Sequence, residues 1–508
     1  MSTVTSECTE PPLVVALDVG TSSVRGVLFD RLGRAVEGVE AHQALGIRTT
    51  SDGASEANPE AVLQLIWRCL DGVLVRAGSM AAQIGGVATC TFVNNILGVD
   101  ETRQAITPLT TYADTRAEGE VARLRAEFDE AAIHDRTGCH FHSSYLPARL
   151  RWLERSQPDL FHRVARWVSI GEYLELKLFG DAAVSYSVAS WTGLLDRGRL
   201  VWDKPLLEAL PVRRDQLSPL TDVNDPRCGL LPAYARRWPA LQEVPWFPAV
   251  GDGAAANVGS GCVSPKQVAL TVGTTSAVRA IVQGHVVHIP AGLWCYRVDG
   301  KRSLPGGALS EGGNMFAWIN DNLKLGDLGK VDSELAALAP NAHGLTVLPF
   351  FSGERSPGWA GHARATIHGL SLATTPLDIL RAGLEAVAYR IAMVFESLCQ
   401  LLPTGPRIVA NGRALLRSPT WLQIMADVLG RPVATSDIQE ASARGASLLA
   451  LEALGVLEGL DQAPDFLSTT YRPDPRRHTV YREAMEHQRE LYEKLVPHEK
   501  GKPEVASS

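Results

Sequence analysis

The sequence has no C-x-x-C pair, no long basic run, no apolar stretch of membrane length and no common nucleotide fingerprint. Each gap removes a class of function. The eight cysteines (Cys8, Cys69, Cys90, Cys139, Cys228, Cys262, Cys295 and Cys399) are scattered, which fits reduced thiols in a cytoplasmic protein better than a disulfide framework. The N-terminus, MSTVTSECTEPP, has no basic region followed by an apolar one, so no signal peptide is expected. No apolar run approaches the roughly 20 residues of a bilayer span, and no membrane partner is expected. A net charge of −7 without a Lys/Arg block gives no basis for a nucleic-acid partner. Neither GxxxxGK[ST] nor a GxGxxG between strand and helix occurs, which argues against P-loop and Rossmann folds.

What is present is an ordinary globular composition, 45% hydrophobic and 21% charged, over 508 residues. That length exceeds what one core usually supports, so two domains are expected. The organising stretch is Leu13 to Asp30, LVVALDVGTSSVRGVLFD. Two apolar runs flank Asp18-Val19-Gly20-Thr21-Ser22-Ser23, the pattern of a β-hairpin with Gly where positive φ or close backbone approach is needed. The turn offers a carboxylate, hydroxyls and backbone N–H groups, suited to a phosphate with a divalent metal beside it. One such turn is an ordinary polar hairpin. A second copy, Leu270-Thr271-Val272-Gly273-Thr274-Thr275-Ser276, changes the balance; there Thr271 replaces the Asp, and Arg279 follows as Arg25 does in the first.

Alternating strand and helix patterns predict α/β domains. Residues 1–11 read as a loose tail, and the segment from Glu499 as disordered. Asn58-Pro59 predicts a helix start, followed by Val62, Leu65, Ile66, Leu70 and Val73 at helical spacing. Ile84 to Cys90 and Asn95 to Val99 read as strands. His134, Cys139, His140 and His142 match no standard zinc spacing, and a loop with scattered imidazoles is expected there. Val250-Gly251-Asp252-Gly253 leads into a small-residue helix; Asp252 either caps it or is held as a base at a cleft. Later come Gly312-Gly313 before an apolar helix, a long helix from Thr375-Pro376, Asn411-Gly412-Arg413, a helix capped by Ser418, and a helix from Glu440 to Leu454.

Two related phosphate-type hairpins imply a nucleotide between two similar halves. Phosphoryl transfer needs a metal, phosphate donors and a base that orients the attacking hydroxyl. Asp18, the two Thr/Ser turns and Asp252 supply candidates.

With those residues in view, the chain resembles the FGGY family of carbohydrate kinases from about Leu13 to Leu454. The matched pieces are DVGTSSVRG, Gly251-Asp252-Gly253, LTVGTTSAVR, Gly312-Gly313, GERSPGW at 353–359 and the Gly412 segment. GVATCTFVNNILGVD and TYADTR look most like the gluconate-kinase branch, near xylulokinases. The resemblance implies two actin-like (ribonuclease-H-like) ATPase domains around a central cleft, here 12–262 with the sugar site and 263–495 with the nucleotide site. It implies ATP and magnesium as cofactors, Asp252 as catalytic base and Asp18 beside the metal. Gly20, Thr21, Ser22, Arg25, Gly273, Thr274 and Thr275 would hold phosphates, while Gly312, Gly313, Gly412, Arg413 and Ser418 would line the nucleotide pocket. The acceptor, a sugar, sugar acid or polyol and gluconate-like on this resemblance, would lie near Asn94, Asp114, Ser144 and Gly251. A homodimer is compatible with the pattern.

Three positions depart from the family. Val93-Asn94 stands where relatives commonly have an apolar residue and His, exchanging a titrating group for an amide. Trp191 replaces a small residue and either narrows the site or fills core. Asn411-Gly412-Arg413 replaces paired glycines, so that Arg413 either obstructs adenine or stacks on it. The last departure keeps a rival expectation, a catalytically impaired pseudokinase acting as a metabolite or nucleotide sensor; retention of Asp18, Asp252 and both turns argues against it.

Overall fold

The two opening apolar runs pair in antiparallel fashion as β1 (Leu13–Val19) and β2 (Ser23–Phe29), with Asp18 opposite Arg25 and Val19 opposite Val24. In this computed structural model, which describes residues 2–496, every residue of β1 except Asp18 is buried. Such a strand needs cover on both faces. β3 (Ala35–Ala44) pairs antiparallel with β2, and the helix α1 (Pro59–Ala77) then crosses to β4 (Ile84–Thr91), parallel to β1. Asn58 caps α1 by accepting from the Ala61 N–H, and Val62, Ile66, Leu70 and Val73 are buried against the sheet. Helix α2 (Ile170–Phe179) covers the same face. β5 (Val250–Gly251) completes the sheet parallel to β4 and runs straight into α3 (Asp252–Gly259).

The first residues are not a loose tail. Thr3–Val4 adds a parallel edge strand to β3, and the Arg31 N–H donates to the Glu10 carbonyl at 2.9 Å. The strand expected over 95–99 is shorter, Leu97–Val99, because its pairing partner Arg166–Val168 is only three residues long. The segment from Glu499 lies outside the described residues.

The second half repeats the pattern. β6 (Gln267–Val272) and β7 (Ser276–Ala280) form the second hairpin, β8 (Arg302–Leu309) lies antiparallel to β7, the helix α4 (Gly313–Leu323) follows, and α5 (Pro376–Cys399) leads to β9 (Arg407–Asn411). α6 (Pro419–Leu429) precedes β10 (Val433–Ser436). The order β8-β7-β6-β9-β10 reproduces β3-β2-β1-β4-β5, with the last two strands parallel to the first in both. Thr375 and Asp378 form a reciprocal capping box at the start of α5. Its Leu380, Leu384, Val387, Ile391, Val394 and Leu398 are buried, each such side chain contributing about 2 kcal/mol by removal from water.

Between the sheets lie α3 and α7 (Ala441–Ala453). Although α7 follows the second sheet in sequence, its Leu448, Leu449 and Leu451 share a core with Val14, Ala88 and Cys90 of the first. Small residues let the two helices touch. Arg444, 1% exposed, fixes the crossing by donating to the carbonyls of Gly33 (2.9 Å), Gly259 (2.5 Å) and Pro464 (2.9 Å).

Candidate active site

The β1–β2 turn closes with the Gly20 N–H donating to the Ser23 carbonyl at 2.9 Å, and the β6–β7 turn with the Gly273 N–H donating to Thr275 at 2.9 Å. Neither Gly20 nor Gly273 has a positive φ, so the glycines answer to space. A Cβ on Gly20 would stand 3.3 Å from the Ser23 oxygen, and one on Gly273 would project into open space. Among the described residues, the hydroxyls of Thr21, Ser22, Thr274 and Thr275 have no protein partner. They are available donors.

Two distant segments close on the second turn. The Gly313 N–H, at the start of α4, donates to the Gly273 carbonyl at 2.7 Å and Asn314 N–H to Thr274 at 3.2 Å. A Cβ on Gly312 would lie 2.8 Å from the Thr275 carbonyl group, and one on Gly313 2.9 Å from the Gly273 oxygen. Gly412 has φ of 93° and a Cβ there would stand 2.4 Å from the Val272 oxygen, so only glycine serves. Beside it Thr271 donates to Asn411 Oδ1 at 2.7 Å. This is the neutral counterpart of Asp18. Arg413 is exposed and unpaired among the described residues, whereas the Ser418 hydroxyl is taken up by capping α6 and by Asp332.

Asp18 and Asp252 meet at one end of the first sheet. Cys90 stands opposite both Asp18 and Val250 in register, which places Asp18 two strands, about 10 Å, from the residue two before Asp252. The Cys90 thiol donates to Asp18 Oδ1 at 3.4 Å. Burial, and then the Asp252 charge, push Asp18 up to about 7. Burial pushes Asp252 up to about 6 against the opposing Arg279 charge and the Gly253 N–H, which donates to Asp252 Oδ1 at 2.8 Å. Asp252 is the first residue of α3 and not its cap, which is Gly251; the helix N-terminus favours its carboxylate form.

The two hairpin arginines are not equivalent. Arg25 lies opposite Asp18 and forms an ion pair with Glu440 at 2.7 Å. Arg279 lies opposite Ala269 and extends to Gly253, beside Asp252. Trp191 settles on the wall of the site. Its ring would be met at 2.8 Å by a Cβ on Gly251 and at 3.1 Å by one on Gly253, and it stacks on Tyr296 at 3.6 Å between centroids. Being 6% exposed, it fills core behind the Gly251–Gly253 turn.

Of the expected acceptor residues, Asn94 has φ of 56° and its amide donates to the Trp191 carbonyl at 2.8 Å, leaving its own oxygen free to accept. Ser144 is paired with His142 at 2.9 Å. Arg149, which carries no local sequence signal, braces this wall by donating to the carbonyls of Asn94 (2.6 Å), Ser143 (3.0 Å) and Thr111. Asp114 is 4% exposed and engaged by the Arg116 guanidinium at 2.6 Å and the Ser55 N–H at 3.3 Å. His134 and His140 stack at 4.0 Å and bond to the carbonyls of Leu293 and Ala291 in the second half. Burial first, and neighbouring charges, hold His134 and His142 down at about 3, so both are neutral. Among the described residues no group of three or more His, Cys, Asp or Glu could hold a metal by itself.

The N-terminal domain model of the FGGY family of carbohydrate kinases matches residues 13–259, and its C-terminal domain model residues 258–454. The chain belongs to the FGGY family of carbohydrate kinases. This FGGY kinase is similar to a gluconokinase of Bacillus subtilis, 27% identical over 477 residues and 91% of each chain. It is also similar to a xylulose kinase of Escherichia coli, 27% identical over 504 residues, 96% of this chain and 99% of its relative. Among solved structures, a xylulose kinase from Rhodospirillum rubrum has a TM-score of 0.86 at 26% identity, covering 96% of this chain and 99% of its own. A gluconate kinase from Lactobacillus acidophilus reaches 0.87 at 24%, covering 96% and 98%, a likeness of fold. The kinase therefore consists of two actin-like, ribonuclease-H-like ATPase domains, in keeping with the repeated strand order. It is a phosphotransferase with ATP as donor and an alcohol group as acceptor. The relatives bear the names of kinases, and nothing among them favours the silent sensor. No helix among the described residues is long and apolar enough to cross a membrane.

Proposed function

We propose that this kinase transfers the γ-phosphate of ATP to a hydroxyl of a sugar, sugar acid or polyol, with Asp252 as the general base. One observation carries the reading: Asp252 follows the strand two away from Asp18 at the same end of the first sheet, close enough for its charge to act on Asp18, and burial pushes its carboxyl up to about 6. A base poised near neutral pH takes the hydroxyl proton as the oxygen attacks phosphorus. Trp191 packs against the glycines on either side of Asp252, and the Gly253 N–H donates to its carboxylate.

The donor set fits a triphosphate. The Gly20–Ser22 and Gly273–Thr275 turns would grip the phosphates with N–H and hydroxyl donors, Gly312 and Gly313 would bring α4 to them, and Gly412 with Arg413 would border the adenosine. Asp18 suits magnesium, which binds through one or two carboxylates plus phosphates and water and not through a full protein cage. When bound it neutralises phosphate charge. Asn94 and Ser144 would meet the acceptor's hydroxyls. The relatives' names favour a gluconate-like or xylulose-like acceptor. Cytoplasm, where ATP is supplied, suits the eight free cysteines, and a homodimer is the assembly we would test first.

A coupled assay of ATP consumption over sugars, sugar acids, polyols and cyclitols tests the reading. Turnover of one class, abolished by Asp252→Asn with nucleotide binding intact, is expected. Nucleotide binding without turnover of any acceptor would overturn it.

A further inference from the structure

We infer that His142 binds the acceptor, its Nε2–H donating a hydrogen bond to an acceptor oxygen other than the one that Asp252 deprotonates. The inference rests on the reading of Asp252 as the base, which fixes where the acceptor lies.

Three imidazoles enter this region from residues 134–142, and two are spent on backbone of the second half. His134 Nε2 bonds the Leu293 carbonyl at 2.8 Å and His140 Nε2 the Ala291 carbonyl at 2.6 Å. His142 is built differently. Its Nδ1 lies 3.1 Å from the Ser144 backbone nitrogen, whose N–H can only donate, and 2.9 Å from Ser144 Oγ. Nδ1 therefore presents its lone pair. A neutral imidazole keeps a single ring proton, which must then sit on Nε2. Among the described residues Nε2 has no protein partner, and it is open to solvent.

That opening is a recess in the protein and not its outer surface. His142 is half-buried, while Ser143, Ser144, Tyr145 and Trp359 around it are buried. The Trp359 ring, from the 353–359 loop of the second half, meets the imidazole edge-on at 6.1 Å between centroids, and Tyr145 does so at 6.3 Å. Trp359 holds φ at 56°, a strained conformation for a large side chain, and its indole N–H donates to the Gly292 carbonyl at 3.3 Å. Hydrogen bonds tie the recess to the base. Arg149 donates to the carbonyls of both Ser143 and Asn94, and the Asn94 amide donates to the Trp191 carbonyl. The Trp191 ring in turn packs on Gly251 and Gly253, on either side of Asp252.

The donor and acceptor set suits a polyhydroxy compound. Nε2–H gives one hydrogen bond to a hydroxyl or carbonyl oxygen. Ser144 turns its hydroxyl proton towards Nδ1 and keeps lone pairs that accept from a second hydroxyl. The charges nearest His142 are all cationic, from Arg355, Arg149 and Arg125 with His140 beside them; together with burial they keep the ring neutral and the donor in place.

The test is a pair of substitutions that separate the two ring nitrogens, assayed with whichever sugar, sugar acid or polyol of the coupled-assay panel wild type turns over fastest. His142→Asn keeps an oxygen near Nδ1 for the Ser144 N–H and loses the donor at Nε2. His142→Gln reaches farther and places an amide N–H near Nε2. His142→Asn should raise the KM for the acceptor by about tenfold or more, the cost of leaving one polar group of the complex unpaired, with the KM for ATP unchanged. His142→Gln should recover most of that loss. An unchanged acceptor KM in His142→Asn, a rise in the KM for ATP alone, or the reverse order with Asn normal and Gln impaired would overturn the inference and leave the kinase reading standing. If a variant fails to fold, a crystal structure of wild type with the acceptor decides: an acceptor oxygen within about 3.2 Å of Nε2 supports the inference, and none there overturns it. If no panel member is turned over, calorimetry of the panel reads it instead. A ligand weakened by His142→Asn and retained by His142→Gln supports the inference; binding indifferent to His142→Asn, or no binding, overturns it.

Discussion

Gly259 of α3 and Gly445 of α7 face each other where the two helices cross. A Cβ on Gly445 would stand 1.8 Å from the Ala255 oxygen and one on Gly259 1.8 Å from the Ala441 oxygen. The obstruction is backbone, not a flexible side chain. Gly445→Ala should therefore force the helices apart and destabilise the protein by about 3 kcal/mol, the upper end for inserting one methyl into a packed core. Denaturant melting reads this directly. An exposed-site control such as Gly38→Ala, whose Cβ meets nothing within 4 Å but which has φ of 74°, should cost less.

Asp252→Asn should keep the fold and nucleotide affinity while kcat falls by ~10²–10⁴-fold, the usual contribution of a general base. Near-normal turnover would remove Asp252 from the mechanism.

Protonation of Asp252 should appear in the pH profile. Its carboxyl is raised to about 6, mainly by burial, so kcat/KM should fall as pH drops below about 6 and level off above it. Stability follows the opposite sign. A carboxyl raised in the fold favours the folded state below its unfolded value of 3.8, and that advantage is lost as pH rises toward about 6. Asp252→Asn should accordingly gain stability over wild type at pH 8 and lose that gain near pH 3.5. Parallel melts at the two pH values check it.

Arg413→Gly should change the KM for ATP and leave acceptor KM alone, because Arg413 is exposed and, among the described residues, unpaired immediately after Gly412. An unchanged KM for ATP would mean that the guanidinium points away from the nucleotide.

Trp191→Ala should lose about 3–5 kcal/mol of stability as a cavity opens behind Gly251 and Gly253. Trp191→Phe keeps most of the stack on Tyr296 and should retain the fold with reduced kcat, since the Gly251–Gly253 backbone that carries Asp252 is less firmly packed. Equal activity of Phe and wild type would assign Trp191 to packing alone.

Much of the donor side could be read from local pattern. The hairpins at 13–29 and 267–280, the helix starts at Asn58 and Thr375, and Gly412 all carry signals within a few residues. The acceptor side could not. Arg149 acts through three carbonyls scattered from Asn94 to Ser143, and Tyr296 meets Trp191 from the other half of the chain. Ser418 shows the converse. Its position beside Pro419 was plain as a helix cap, but no local signal shows whether a cap hydroxyl is also free for a ligand, and here it goes to Asp332. Turn glycines misled in a smaller way: sequence cannot separate a positive φ, as at Gly412, from open space, as at Gly273.

The lodging of α7 against the first sheet has a consequence for biosynthesis. Leu448, Leu449 and Leu451 complete the cover that α3 begins over Val14, Ala88 and Cys90, so the second face of a sheet begun at Leu13 stays partly open until residue 451 has emerged from the ribosome. The N-terminal half cannot finish folding as it is made, although domains generally fold in the order of synthesis. Its nascent form must wait, exposed, for nearly the whole of translation.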